Sequence, residues 1–111
     1  MKIYFRTKKL QKLCSESNEA VKRLGPQMAR KLQQRLMELK AASCLMDISR
    51  VPPPRCHELS GDRIHPFSVD LQHPCRLLFI SANNPLPKLP DGGLDWNGIT
   101  EIEIIEITDT H

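Results

Sequence analysis

No run of apolar residues in this 111-residue chain is longer than the four of Leu77-Leu78-Phe79-Ile80. That is far short of the about 20 needed to cross a bilayer. No charged stretch leading into an apolar core and a small-residue cleavage site opens the sequence, so no secretory leader is expected. A soluble, cytoplasmic protein that does not engage membranes is the expectation. C-x-x-C pairs are missing too: Cys14, Cys44, Cys56 and Cys75 stand far apart, as reduced and largely buried thiols do. Cys56-His57 and His73-Pro74-Cys75 offer zinc-competent residue types, but adjacent ligands on an extended strand point to opposite sides, and no metal is expected. The chain also lacks a phosphate-binding glycine loop, an H-E-x-x-H and a G-x-S-x-G. Nucleotide hydrolysis, zinc proteolysis and α/β-hydrolase chemistry lose their usual sequence support, and no cofactor is implied. No internal repeat is present.

What is there amounts to one domain. Hydrophobic residues make up 40% and charged residues 26%, close to globular averages. A core of this size supports one sheet with a helical cover, so an active site has to lie on an open face or in a shallow cleft. Charge is unevenly spread. Residues 1–40 hold 11 Lys/Arg against 3 Glu, a net of +8, whereas residues 41–111 hold 5 basic and 10 acidic residues, a net of −5. A basic half attracts polyanions and speeds encounter with them, although lysines also simply solvate helices.

Met1 to Arg6 alternates, with Ile3 and Phe5 on one side and Lys2, Tyr4 and Arg6 on the other, which predicts a half-buried strand. Thr7 is placed to cap a helix carrying Leu10, Leu13 and Cys14. Gly25-Pro26 closes one helix and opens the next, whose stripe of Met28, Ala29, Leu32, Leu36 and Leu39 faces a core. Pro52-Pro53-Pro54 ends the helical half. Alternation then predicts strands over 67–72, 75–80 and 99–108. The loop 81–98 is too long for a tight turn and contains Trp96, the sole tryptophan, read as an anchor in preference to a partner contact. The fold class is α+β: β-α-α-β-β-β, with two N-terminal helices on one face of a small antiparallel sheet.

Two places can do chemistry. One is Cys56-His57-Glu58-Leu59-Ser60-Gly61-Asp62-Arg63, at the start of the sheet. The other is Asp109-Thr110-His111, where period-two alternation puts Asp109 and His111 on one side. A carboxylate beside an imidazole orients the ring and favours its charged form. His57 adds a second imidazole, and Arg63 and Arg76 add fixed positive charge. Imidazoles and arginines without a metal motif suit cleavage of an RNA phosphodiester. The ribose 2′-hydroxyl is then the nucleophile, and a base, an acid and cations for the phosphate suffice. Lys8, Lys9, Lys12 and Lys31 would grip RNA phosphates, adding affinity without much sequence discrimination.

At these residues the sequence resembles the HigB-type toxins of bacterial toxin–antitoxin pairs, in the RelE/ParE superfamily, nearest the branch called killer proteins. The ordered likeness runs through 5–13, Leu24-Gly25-Pro26-Gln27, 30–36, 56–63, 67–71, 76–79, 91–96 and the terminal Asp-x-His. It implies a single RelE-like domain over 1–111, with 81–98 as an insertion that this branch also carries. It further implies a metal-independent, ribosome-dependent mRNA endoribonuclease that arrests translation. The implied partners are the ribosome, mRNA and a helix-turn-helix antitoxin (HigA-like), with operator DNA reached only through the antitoxin. His57 falls on the family's first active-site histidine, and Asp109 and His111 on its C-terminal acid and histidine. Arg63 and Arg76 fall on basic positions and are assigned to the phosphate. Ser60 and Thr110 depart from a common lysine and tyrosine. The loss of one charged contact of this kind lowers rate by about a hundredfold. The same superfamily also holds non-catalytic members, so the alternatives are a gyrase-directed poison or a decayed toxin that keeps only antitoxin binding.

Overall fold

The computed structural model describes residues 1–60 and 65–109. Among these, the elements in chain order are β1 (Lys2–Phe5), α1 (Lys8–Ser15), α2 (Ser17–Leu24), α3 (Pro26–Ala41), β2 (His57–Glu58), β3 (Phe67–Asp70), β4 (Cys75–Ser81) and β5 (Glu101–Asp109). The protein is α+β, as its alternation and helical stripes predict. Three features differ from the expected arrangement. The first helical segment is broken at Glu16, giving three helices; a fifth strand, the short β2, precedes the expected three; and the sheet is mixed, with strand order β1-β5-β4-β3-β2 and β1 parallel to β5. The remaining pairings are antiparallel.

Local chemistry explains the helix ends. Thr7 Oγ1 accepts from the Leu10 amide at 3.1 Å, which caps α1. Glu16 is extended and serves two helices at once: its N–H donates to the Lys12 carbonyl, and its own carbonyl accepts from Ala20. Gly25 takes φ +85° between α2 and α3, a conformation open to glycine, and Pro26 supplies the first residue of α3. Glu19 in the first turn of α2 and Lys22 and Arg23 in its last complement the helix dipole.

The helices cover one face of the sheet. Leu32, Leu36 and Leu39 of α3 pack on Phe67, Val69, Leu77, Phe79, Ile102 and Ile104, all buried. Arg35 is the exception in this layer. Only 2% exposed, its Nε donates to the Asp70 carbonyl at 2.8 Å while Nη1 meets the Glu38 carboxylate at 3.2 Å. A buried guanidinium is tolerable because its donors are taken up. It ties α3 to the end of β3.

The segment between β4 and β5 is a folded excursion. Asn83 clamps its base, its amide donating to Thr100 Oγ1 at 2.9 Å and its oxygen accepting from the Thr100 and Glu101 amides. Leu94 and Ile99 are buried in the core. Trp96 meets Phe67 edge-on at 5.1 Å, and the Arg50 guanidinium lies 4.1 Å over its ring. The tryptophan is an anchor.

Candidate active site

Strand pairing assigns each side chain to a face, because directly opposed residues project to the same side. The pair Phe67 and Phe79 and the pair Val69 and Leu77 face the helices. Their neighbours Ser68, Leu78, Asp70 and Arg76 therefore face outward, and His57, opposite Ser68, joins them. The outer face thus carries one row of His57, Ser68, Leu78 and Glu106 and a second of Asp70, Arg76 and Thr108. His57 and Arg76 share this face, with α-carbons roughly 12 Å apart by strand spacing and rise.

The second row is a charge cluster. Arg55 holds Asp70 with two bonds, Nε to Oδ2 at 2.7 Å and Nη2 to Oδ1 at 3.1 Å. Asp70 raises the pKa of Arg55, first by accepting these hydrogen bonds and then by its charge. Arg76 approaches the same carboxylate, its Nε 3.7 Å from Oδ1. Two guanidiniums therefore share one carboxylate, leaving an excess of positive charge. The Arg76 side chain is 14% exposed, and its buried Nε has no hydrogen-bond partner among the described residues. A dent of about 40 Å³ opens here, lined in part by Arg55, Asp70, His73 and Arg76.

Arg55 also sets the histidine. It sits at φ +47°, where a side-chain-bearing residue is strained by about 1–2 kcal/mol, at the turn that follows the three prolines. Its carbonyl faces His57 Nδ1 at 3.2 Å. A carbonyl only accepts, so Nδ1 carries a proton, and in the neutral ring Nε2 is then the acceptor. The half-buried ring is thereby oriented by the backbone.

The other expected site residues are distributed differently. Arg63 and His111 lie outside the described residues, as does Thr110. Asp109 is not brought to His57. β5 lies three strand spacings from β2, about 14 Å across the sheet. Asp109 also pairs with Cys75 on the face that carries Leu77 and Ile107. The cause is a β-bulge: the register shifts between Leu78 and Phe79, so that Ile105 is an extra residue on β5. Before it the even residues Ile102 and Ile104 face the helices; after it Ile107 and Asp109 do. The doubled Ile104-Ile105 in an otherwise alternating strand is the sequence signal of that switch.

Lys8, Lys9, Lys12 and Lys31 are exposed, but on the helical layer, away from His57 and Arg76. Lys8 and Lys12 line a shallow cleft with Gln11, and Lys31 lines another with Gln27, Arg30, Gln34 and Gln72. Arg55 and Asp70 are the site members that sequence reading missed. Among the described residues no group of three or more His, Cys, Asp or Glu is arranged to hold a metal ion, and no helix is long and apolar enough to cross a membrane. Comparisons with protein-family models, with curated proteins and with solved structures found no match for this chain.

Proposed function

We propose that the protein is a metal-independent endoribonuclease, the toxin of a toxin–antitoxin pair, which cuts mRNA on the ribosome and so arrests translation. The observation that carries this reading is the placement of His57 and the Arg55–Asp70–Arg76 cluster on one face, with Nδ1 of His57 held by the Arg55 carbonyl. His57 Nε2 takes the proton of a ribose 2′-hydroxyl. The 2′-oxygen then bonds to phosphorus, and the bond from phosphorus to the 5′-oxygen breaks, leaving a cyclic phosphate and a free 5′-hydroxyl end. Arg76 meets the charge that builds on the phosphate, where fixed donors act most strongly. The proton for the leaving oxygen is the role assigned to His111, with Arg63 as a further cation. Asp109, turned to the helix side, has no part in this step.

The exposed lysines of α1 and α3 belong to a separate surface, suited to ribosomal RNA phosphates. The expected antitoxin and the ribosome remain the partners of this reading.

Induction of the chain in growing cells, followed by primer extension on mRNA, tests the proposal. The intact protein is expected to generate new 5′ ends within codons, and His57→Ala to abolish both these ends and growth arrest while keeping its folded circular dichroism. Full toxicity of a folded His57→Ala protein overturns the assignment. A second reading is favoured by the separation of Asp109 from His57: a non-catalytic member of the superfamily, either gyrase-directed or retaining only antitoxin binding. DNA damage with intact mRNA marks the first of these, and normal growth with a bound antitoxin marks the second.

A further inference from the structure

Asp70 is held on the outer face by its backbone and by its side chain. Its amide donates to the Pro54 carbonyl at 2.8 Å, and its carbonyl accepts from Nε of the buried Arg35 at 2.8 Å. Arg55 takes both carboxylate oxygens, at 2.7 and 3.1 Å. The negative charge is therefore fixed in place, and Arg55 has committed Nε and Nη2 to it. Arg76 is held differently. Its Nε stands 3.7 Å from Asp70 Oδ1, too far for a hydrogen bond, and this buried atom has no partner among the described residues. At that atom Asp70 acts as a charge and not as an acceptor. Thr108, opposite Arg76 on β5, brings a hydroxyl to the same row. The dent of about 40 Å³ at Arg76 is also lined by Arg55, Asp70 and His73, so two guanidiniums against one carboxylate leave it a net fixed charge of +1. Glu106 also lies on this face, diagonally across from Arg76, but it is exposed and water screens it.

We propose that Asp70 is a specificity-determining residue: it cancels one of the two guanidinium charges and so matches the dent to a singly charged phosphodiester, against the doubly charged phosphate of a free nucleotide or a phosphorylated chain end. This deepens the ribonuclease reading and rests on it for placing a nucleic-acid phosphate at Arg76. A phosphodiester carries one negative charge, whereas a phosphate monoester approaches two above its second pKa of about 6. Two uncompensated guanidiniums would favour the dianion, because every unit of ligand charge meets every unit of site charge. With Asp70 between them, the extra charge of the dianion meets a repulsion that offsets its attraction to Arg55. Arg76 is only 14% exposed, so water does not fully screen these interactions. The interior of a message is thereby favoured over nucleotides and phosphorylated ends. The competing role for Asp70 is structural, to keep two guanidiniums from repelling one another. On that role alone, loss of the carboxylate changes the binding of all anions alike; on charge matching it changes their ranking.

The test uses the full chain at about pH 8 and two ligands that differ by one methyl group: thymidine 5′-phosphate, a dianion, and its methyl ester, a monoanion. Neither has a 2′-hydroxyl, so neither is cut by the proposed route, and binding is read by NMR titration of the Arg76 Nε–H signal. The unaltered protein is expected to favour the monoester by no more than about threefold, despite its second charge. Asp70→Asn is expected to shift the ratio about tenfold toward the monoester. Arg55→Gln, which leaves Asp70 and Arg76 to cancel, is expected to shift it about tenfold the other way. A larger preference of the unaltered protein for the monoester overturns the proposal, as does a ratio that stays within about threefold of the original in either folded variant. No movement of the Arg76 signal with either ligand at about 10 mM overturns it as well. Binding is read without cleavage, so mRNA left intact in cells removes the ribonuclease reading while the charge matching stands or falls on these ratios.

Discussion

On the helix-facing side of the sheet, Phe67, Val69, Leu77, Phe79, Ile102 and Ile104 are fully buried against α3 and its neighbours. On the outer side, Arg55 and Arg76 share one Asp70 carboxylate, and the buried hydroxyl of Ser68 and Nε of Arg76 have no hydrogen-bond partner among the described residues. The same strands build both sides, since β3 and β4 contribute alternate residues to each. The contrast separates the face that holds the fold from the face that carries the proposed site. Apolar burial against helices holds the sheet, which leaves its other face free to carry groups that cost stability: a strained Arg55, an under-bonded guanidinium, an unpartnered hydroxyl.

The strongest way to break this division is to hollow out the helix-facing side. Phe79→Ala removes a fully buried ring that stacks on Phe67 with centroids 5.8 Å apart. A loss of about 3–5 kcal/mol in urea unfolding is expected. His57→Ala, on the other face and half-buried, should cost about 1 kcal/mol or less by the same measurement. Equal losses would mean that both faces carry the fold.

Alkaline pH probes the same side. Burial pushes the Cys14 thiol up to about 11 and the Cys56 thiol up to about 12, from an ordinary value of 9.0. Both pKa values are raised in the folded protein, so this contribution to stability is complete below pH 9 and is lost as pH climbs through the folded values. At pH 10 the two together should cost roughly 2–3 kcal/mol relative to pH 8. Cys56→Ala should flatten the slope of unfolding free energy against pH over this window; an unchanged slope would show that the thiol is not the source.

On the outer side, Asp70→Asn removes the carboxylate that Arg55 and Arg76 share, yet leaves the Asp70 main-chain carbonyl that receives Arg35. The change is therefore confined to one face. With Arg55 40% exposed, a loss of about 1 kcal/mol is expected from thermal or urea unfolding. A collapse of stability comparable to Phe79→Ala would erase the distinction between the faces.

Much of this arrangement was legible beforehand. Thr7 as a cap, Gly25-Pro26 as a helix junction, the α3 stripe and strands near 67–72, 75–80 and 99–108 all follow from local chemistry. What could not be read there depends on long-range pairing. The parallel approach of β1 to β5 leaves no trace in either strand's own pattern. The break at Glu16 carries neither glycine nor proline, and β2, with two residues, is too short to show a period. Arg55 meets Asp70 only because the turn after Pro54 brings distant segments together; the Asp70 amide donates to the Pro54 carbonyl at 2.8 Å. The direction of Asp109 was decided by the bulge at Ile105, a one-residue event whose only mark is a doubled isoleucine.

Ser68 gives the smallest effect and the sharpest sign. Its side chain is completely buried, lies between His57 and Leu78 in the outer row, and its hydroxyl has no hydrogen-bond partner among the described residues. A hydroxyl in that state has lost its water without gaining a partner, which costs about 1–3 kcal/mol against an apolar group of similar size. Ser68→Ala removes the polar atom and leaves only a small void, so the two effects oppose each other and a net stabilisation of about 0.5–1 kcal/mol is expected in urea unfolding. The same exchange on the helix-facing side would have no unpaired group to remove and could only lose packing. A gain in stability from Ser68→Ala thus marks the outer face as the one where stability is given up. A loss of more than about 1 kcal/mol would show that the hydroxyl is bonded, and with it the claim that this row is held under polar strain would fall.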